Sequence, residues 1–109
     1  MGSRLIIGIT DLIICTIFIL IAVKLIKHRA PRNGLIGFRI RKAYESDENW
    51  YSINEYGGRR LLIWSIPVGI IGIIALAVPI SQTALEWCSY APLILLAAIA
   101  ETAAFARKL

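Results

Sequence analysis

From Leu61 to Ile80, twenty consecutive residues (LLIWSIPVGIIGIIALAVPI) carry no charged side chain. An α-helix needs a run of about that length to cross the roughly 30 Å hydrocarbon layer of a bilayer. The run has two companions. Leu5 to about Ile26 is interrupted only by Asp11 and Lys24, and a shorter apolar stretch ending near Ala106 contains Glu101. β-branched residues fill these stretches and would favour strands in water. In lipid an open strand would leave backbone groups unpaired, and the alternating ten-residue pattern of a membrane barrel is absent, so helices remain. With 58% hydrophobic and 17% charged residues in a chain of 109, a single small core could not hide the aliphatic surface from water.

The chain therefore reads as an all-α membrane protein. One membrane domain covers residues 1–109, with spans at about 5–26, 61–80 and 87–106 and a polar loop at 27–60. A cleaved signal peptide is disfavoured for the first run, because Lys24, Lys27, His28 and Arg29 stand where small cleavage-site residues would belong. Of the twelve Lys and Arg, eight lie in the loop: Lys27, Arg29, Arg32, Arg39, Arg41, Lys42, Arg59 and Arg60. The connection around 81–90 has none. Basic loops stay inside, which predicts an external N-terminus, a cytoplasmic loop and a cytoplasmic C-terminus. The net charge of +5 is thus a topology signal first. Nucleic-acid binding is not expected, because no soluble module presents the basic groups among recognition elements. The loop is expected to attract anionic lipid headgroups. Cys15 and Cys88 read as two separate thiols at different depths.

The loop is the most informative segment. Pro31, Asn33, Gly34 and Gly37 make its first part turn-rich, and Leu35, Ile36, Phe38 and Ile40 alternate with Gly37, Arg39 and Arg41 as in an extended stretch. Ser46 followed by Asp47 and Glu48 is a helix start. Trp50, Ile53 and Gly57 share one face, and Gly57-Gly58 predicts the helix end. The expectation is a short amphipathic cytoplasmic helix between the first and second spans, lying at the interface with Trp50 at headgroup level.

Asn33, Gly37, Arg39, Trp50, Asn54 and Gly57 also carry a resemblance. A segment with Asn33, Gly37 and Arg39 in this spacing, followed by a helix bearing Trp50, Asn54 and Gly57 that leads into another span, resembles the SdpI family of small bacterial membrane proteins. Family members usually place Thr or Pro soon after the arginine, where this chain has Ile40-Arg41-Lys42. The relatives that gave the family its name are longer and have additional spans. The resemblance implies a bacterial inner-membrane location and a role in immunity to, or sensing of, a secreted peptide toxin, with a toxin or a repressor protein as partner. From the residues alone, the six motif positions either fix the loop's fold or form a ligand site, and Arg39 has Glu48 and Glu55 as candidate carboxylates.

Ionisable residues within spans are functional candidates because hydrocarbon disfavours charge. Asp11 lies in the outer half of the first span and Glu101 in the inner half of the third. Their depths predict a Glu101–Lys24 ion pair, with Ser81, Gln82 or Thr83 as hydrogen-bond partners of Asp11. Gly69, Gly72 and the alanines of the third span suit close helix contact, within one bundle, in a homo-oligomer or in a larger complex. No metal-ligand cluster, phosphate loop or nucleophile motif is present, and His28 is the lone histidine. No enzymatic activity, metal or cofactor is expected. Function by binding is the leading expectation. The alternatives are an accessory subunit of a membrane complex or a minimal oligomeric transporter working through Asp11 or Glu101.

Overall fold

A computed structural model describes residues 2–31 and 36–109; of these described residues 81% are helical and none lies in a strand. Three helical stretches, Gly2–Ile26, Asp47–Ala77 and Gln82–Ala106, are long and apolar enough to cross a membrane. The first is α1 (Gly2–Ile26) and the second is α2 (Asp47–Ala77). The third consists of α3 (Gln82–Cys88), a 3-10 turn at Ala91–Leu95 and α4 (Leu96–Ala106). Pro92 lies at the head of that 3-10 turn, where its missing N–H does least harm.

α1 and α2 pack antiparallel along a seven-residue repeat. On α1 the buried positions are Gly8, Asp11, Cys15, Ala22 and Leu25. Phe18 fills the remaining place in that series and packs on the same core. On α2 the series runs Trp50, Asn54, Gly57, Leu61, Ser65, Val68, Gly72 and Ala75. Steps of three and four are the seam of a left-handed helix pair. Small residues recur every seventh place (Gly8, Cys15 and Ala22 against Gly58, Ser65 and Gly72), so the backbones approach closely, as lipid-embedded pairs require when solvent supplies no hydrophobic drive. The Ser65 and Thr102 hydroxyls donate to the carbonyls of Leu61 and Ala98, one turn earlier in their own helices, so buried hydroxyls need no distant partner.

The sequence predicts a separate helix ending at Gly57-Gly58; instead α2 runs through both glycines without a break. Its start is as expected: Ser46 is the N-cap, its hydroxyl accepting from the Asn49 backbone N at 3.0 Å. The glycines serve packing, not capping. Gly57 lies beneath the Phe38 ring, and a Cβ on Gly58 would stand 2.9 Å from the Ala22 carbonyl oxygen. A helical glycine is disfavoured by ~0.5–1 kcal/mol relative to alanine, less than the ~1–3 kcal/mol that overpacking a contact typically costs.

At 31 residues and about 1.5 Å per residue, α2 is roughly 46 Å long, well beyond a ~30 Å hydrocarbon layer. Its first turns therefore stand beyond the apolar zone as a stem carrying the loop. α2 ends at Ala77, short of the predicted Ile80, because Pro79 holds the preceding Val78 in extended backbone (φ −107°, ψ 131°). Arg4 reaches across from α1 and donates to the carbonyls of Ala75, Leu76 and Val78 at 3.3, 3.2 and 2.9 Å, satisfying acceptors that a helix end leaves open. The extended stretch predicted through Arg41 stops at Ile40 (φ −87°, ψ 141°), and a 3-10 turn follows at Arg41–Glu45.

Candidate functional site

The loop is tied to the stem of α2 by hydrogen bonds that converge on Trp50 and Asn54. Trp50 is fully buried, and its indole Nε1 donates to the Ala30 carbonyl at 2.8 Å. Asn54, also buried, uses both ends of its amide. Nδ2 donates to the Trp50 carbonyl at 2.9 Å, and Oδ1 accepts from the Phe38 backbone N at 2.5 Å. A buried amide is tolerated only when it is satisfied in this way. Gly37 makes the approach possible. Its φ is +119°, and a Cβ there would stand 2.7 Å from Asn54 Oδ1 and 3.1 Å from the Trp50 ring. Phe38 then lays its ring over Gly57. Trp50 and Ile53, with Ala43 and Ala106, form a small core of their own.

The path into this knot is shaped by the end of α1. His28 has φ +56°; its N–H donates to the Leu25 carbonyl at 3.2 Å, and that of Arg29 to the Lys24 carbonyl at 2.9 Å. That is a Schellman cap with histidine where glycine is usual. The imidazole stacks on Tyr51 at 4.9 Å and lies 3.3 Å from Glu55, so the side chain holds the turn against α2. Glu55, one of the carboxylates considered for Arg39, thus faces His28, with Arg59 at 3.8 Å.

Of the six motif positions, the structure brings Gly37, Trp50, Asn54 and Gly57 together. Arg39 lies exposed beside them. Asn33 lies outside the described residues.

The residues singled out within the spans are arranged differently from the prediction. Glu101 does not pair with Lys24, which is exposed on α1. It takes a two-point bond from Arg60 instead: Nε donates to Oε1 at 3.0 Å and Nη2 to Oε2 at 2.7 Å. The Trp64 indole donates to the same carboxylate. Both charged side chains are about one-third exposed, at 29% and 33%. The bidentate geometry suits a guanidinium. It is reinforced one turn away, where Tyr56 and Phe105 stack at 4.3 Å and so bind α2 to α4. Depth alone favoured Lys24 equally, but depth does not reveal which helix faces lie opposite. Arg60 and Trp64, four residues apart on α2, were the missed signal. Asp11 is 1% exposed, packed where α1 crosses Gly72. Its Oδ2 makes no hydrogen bond among the described residues. Ser81, expected as one of its partners, instead caps α3 by accepting from the Ala84 backbone N.

α1 and α4 both lie against α2 and scarcely touch each other. Between them opens a lateral cleft of about 490 Å³. Phe18 and Ile21 of α1 line one wall, Leu96 and Ile99 of α4 the other, and Ile36-Gly37-Phe38 of the loop close its end. The lining is almost wholly hydrocarbon, and the same Phe38 that donates to Asn54 forms part of it.

The model of the SdpI/YfhL protein family matches residues 29–104. The chain belongs to that family. The SdpI-type match takes in more than the loop motif: it extends through α2, with Arg60 and Trp64, and along α4 past Glu101, leaving the whole of α1 outside. With its three apolar helices, this SdpI-family chain is a multi-pass membrane protein. No curated protein and no solved structure matches the chain.

Proposed function

We propose that this SdpI-family protein acts by binding in the membrane, conferring immunity to a secreted peptide toxin or sensing its presence. The observation that carries this reading is the lateral cleft. A hydrocarbon-lined opening between two spans, reachable from the lipid, suits an apolar peptide segment that has already entered the bilayer. Its closed end is the motif loop, so an occupant would press on Ile36-Gly37-Phe38 and, through the Phe38–Asn54 bond, on the stem of α2. This reading places the protein in the bacterial inner membrane, with the N-terminus outside and the loop and C-terminus in the cytoplasm, as the basic residues of the loop favour.

The test is challenge of a deletion strain with secreted antimicrobial peptides. Loss of the gene sensitises the cell, and the wild-type copy restores resistance. Ile99→Trp, which fills the cleft, accumulates in the membrane but does not restore resistance. Equal susceptibility with and without the gene refutes the proposal. A stoichiometric membrane partner recovered alongside such a result would make the chain an accessory subunit instead.

A further inference from the structure

Several cations of this chain are engaged: Arg4 on the carbonyls ending α2, Arg60 on Glu101, and Arg59 beside Glu55. Arg41 and Arg107 are not. Both are exposed, and neither side chain makes an ion pair or hydrogen bond among the described residues. They line one groove of about 480 Å³ between the 3-10 turn Arg41–Glu45 and the end of α4, together with Lys42. Glu45 is the single carboxylate in the lining, and Lys42 lies 3.5 Å from it. Three cations and one carboxylate leave two positive charges without a counterpart.

Place in the fold narrows what could supply the negative charge. Arg107 is the first residue past α4, so it stands where the apolar third span ends and the lipid phosphates begin. The remaining walls are apolar: Ile40 from the loop, Ala103 and Ala106 from α4. A free anion would find two arginines there but would leave that apolar surface uncovered. A phospholipid would use both, placing its phosphate between the guanidinium groups, which suit phosphate oxygens well, and its glycerol and first methylenes along the alanines. We propose that this groove is a binding site for the headgroup of an anionic phospholipid. The site is separate from the lateral cleft, and its failure would leave the toxin-binding reading intact.

The experiment uses the full chain, purified in detergent and titrated with dioctanoyl phosphatidylglycerol, with native mass spectrometry as the readout. The wild type retains one phosphatidylglycerol in preference to phosphatidylcholine of the same chain length. Arg41→Gln/Arg107→Gln binds it about thirty-fold more weakly, from ~1 kcal/mol for each basic residue at an anionic surface. The charge-matched pair Lys27→Gln/Arg59→Gln stays within about two-fold of wild type. Arg41→Lys/Arg107→Lys retains most of the affinity, which also covers the case in which the glutamine pair fails to fold. An equal loss in both glutamine pairs overturns the proposal, because diffuse charge would then suffice. Displacement of the lipid by inorganic phosphate at matched concentration overturns it in favour of a free anion. Displacement by polyglutamate overturns it in favour of an acidic protein segment.

Discussion

Replacing Gly37 with alanine tests the loop knot at its tightest point. Two separate penalties are built into that position. The backbone holds φ at +119°, a region that L side chains rarely adopt, with strain on the order of 1–3 kcal/mol. The new methyl would also stand 2.7 Å from Asn54 Oδ1 and within 3.2 Å of the Trp50 ring, so the amide must withdraw from the Phe38 N–H. An interior donor left unpaired costs ~1–3 kcal/mol. Together they give a loss of about 2–6 kcal/mol. The two parts separate in an Asn54→Ala background, where the amide is already absent. There Gly37→Ala keeps the backbone strain, about 1–3 kcal/mol, and the crowding against the Trp50 ring but no longer strands the Phe38 N–H, so the pair is non-additive, as expected for residues in contact. Unfolding by SDS titration from mixed micelles, followed by circular dichroism, measures all three variants. A Gly37→Ala protein within about 0.5 kcal/mol of wild type, the range of an ordinary surface change, refutes the reasoning. So would strict additivity with Asn54→Ala.

Three further outcomes follow from the same contacts. Gly72→Val pushes its side chain into Asp11 and the Gly8 carbonyl, at 3.0 and 3.1 Å from the Cβ, and should lower stability in the same titration by ~1–3 kcal/mol; Gly2→Val, with nothing within 4 Å, should leave it unchanged. Arg60→Ala and Glu101→Ala should each reduce the unfolding midpoint, the double variant should lose less than the two added, and Lys24→Ala should show no coupling to Glu101→Ala; a coupled Lys24 would restore the pairing that depth alone suggests. Trp50→Phe strands the Ala30 carbonyl, which accepts from the indole, and should cost ~1–3 kcal/mol; its loss from the fluorescence spectrum should remove a component inaccessible to aqueous iodide, since the ring is fully buried.

What the sequence reveals here depends on which solvent each face meets. The three spans are legible because lipid imposes a length requirement, and Ser46 is legible as a cap because capping is local. The end of α2 at Ala77 follows from Pro79, also a local cause, but the apolar run conceals it by continuing to Ile80. Gly57-Gly58 illustrates the opposite problem. Two glycines after a polar helix signal an end when only local conformation is weighed, yet their missing side chains admit Phe38 and Ala22, both distant in sequence. Glu101 and its partner fail to emerge for a related reason. In a soluble helix the apolar face identifies the neighbour, but a span is apolar on all sides, so neither periodicity nor depth shows that α4 faces Arg60 instead of Lys24. The seven-residue series of small residues at Gly8, Cys15 and Ala22 was available in the sequence; it is visible only once bulky aliphatics are set aside as lipid-facing.

The continuity of α2 has a mechanical consequence. Because one rigid rod carries both Trp50 at its base and Gly72 near its tip, the loop has no independent joint at the bilayer boundary. A push that rotated the base would turn the tip through a similar angle and shear the glycine contact with α1 on the far side.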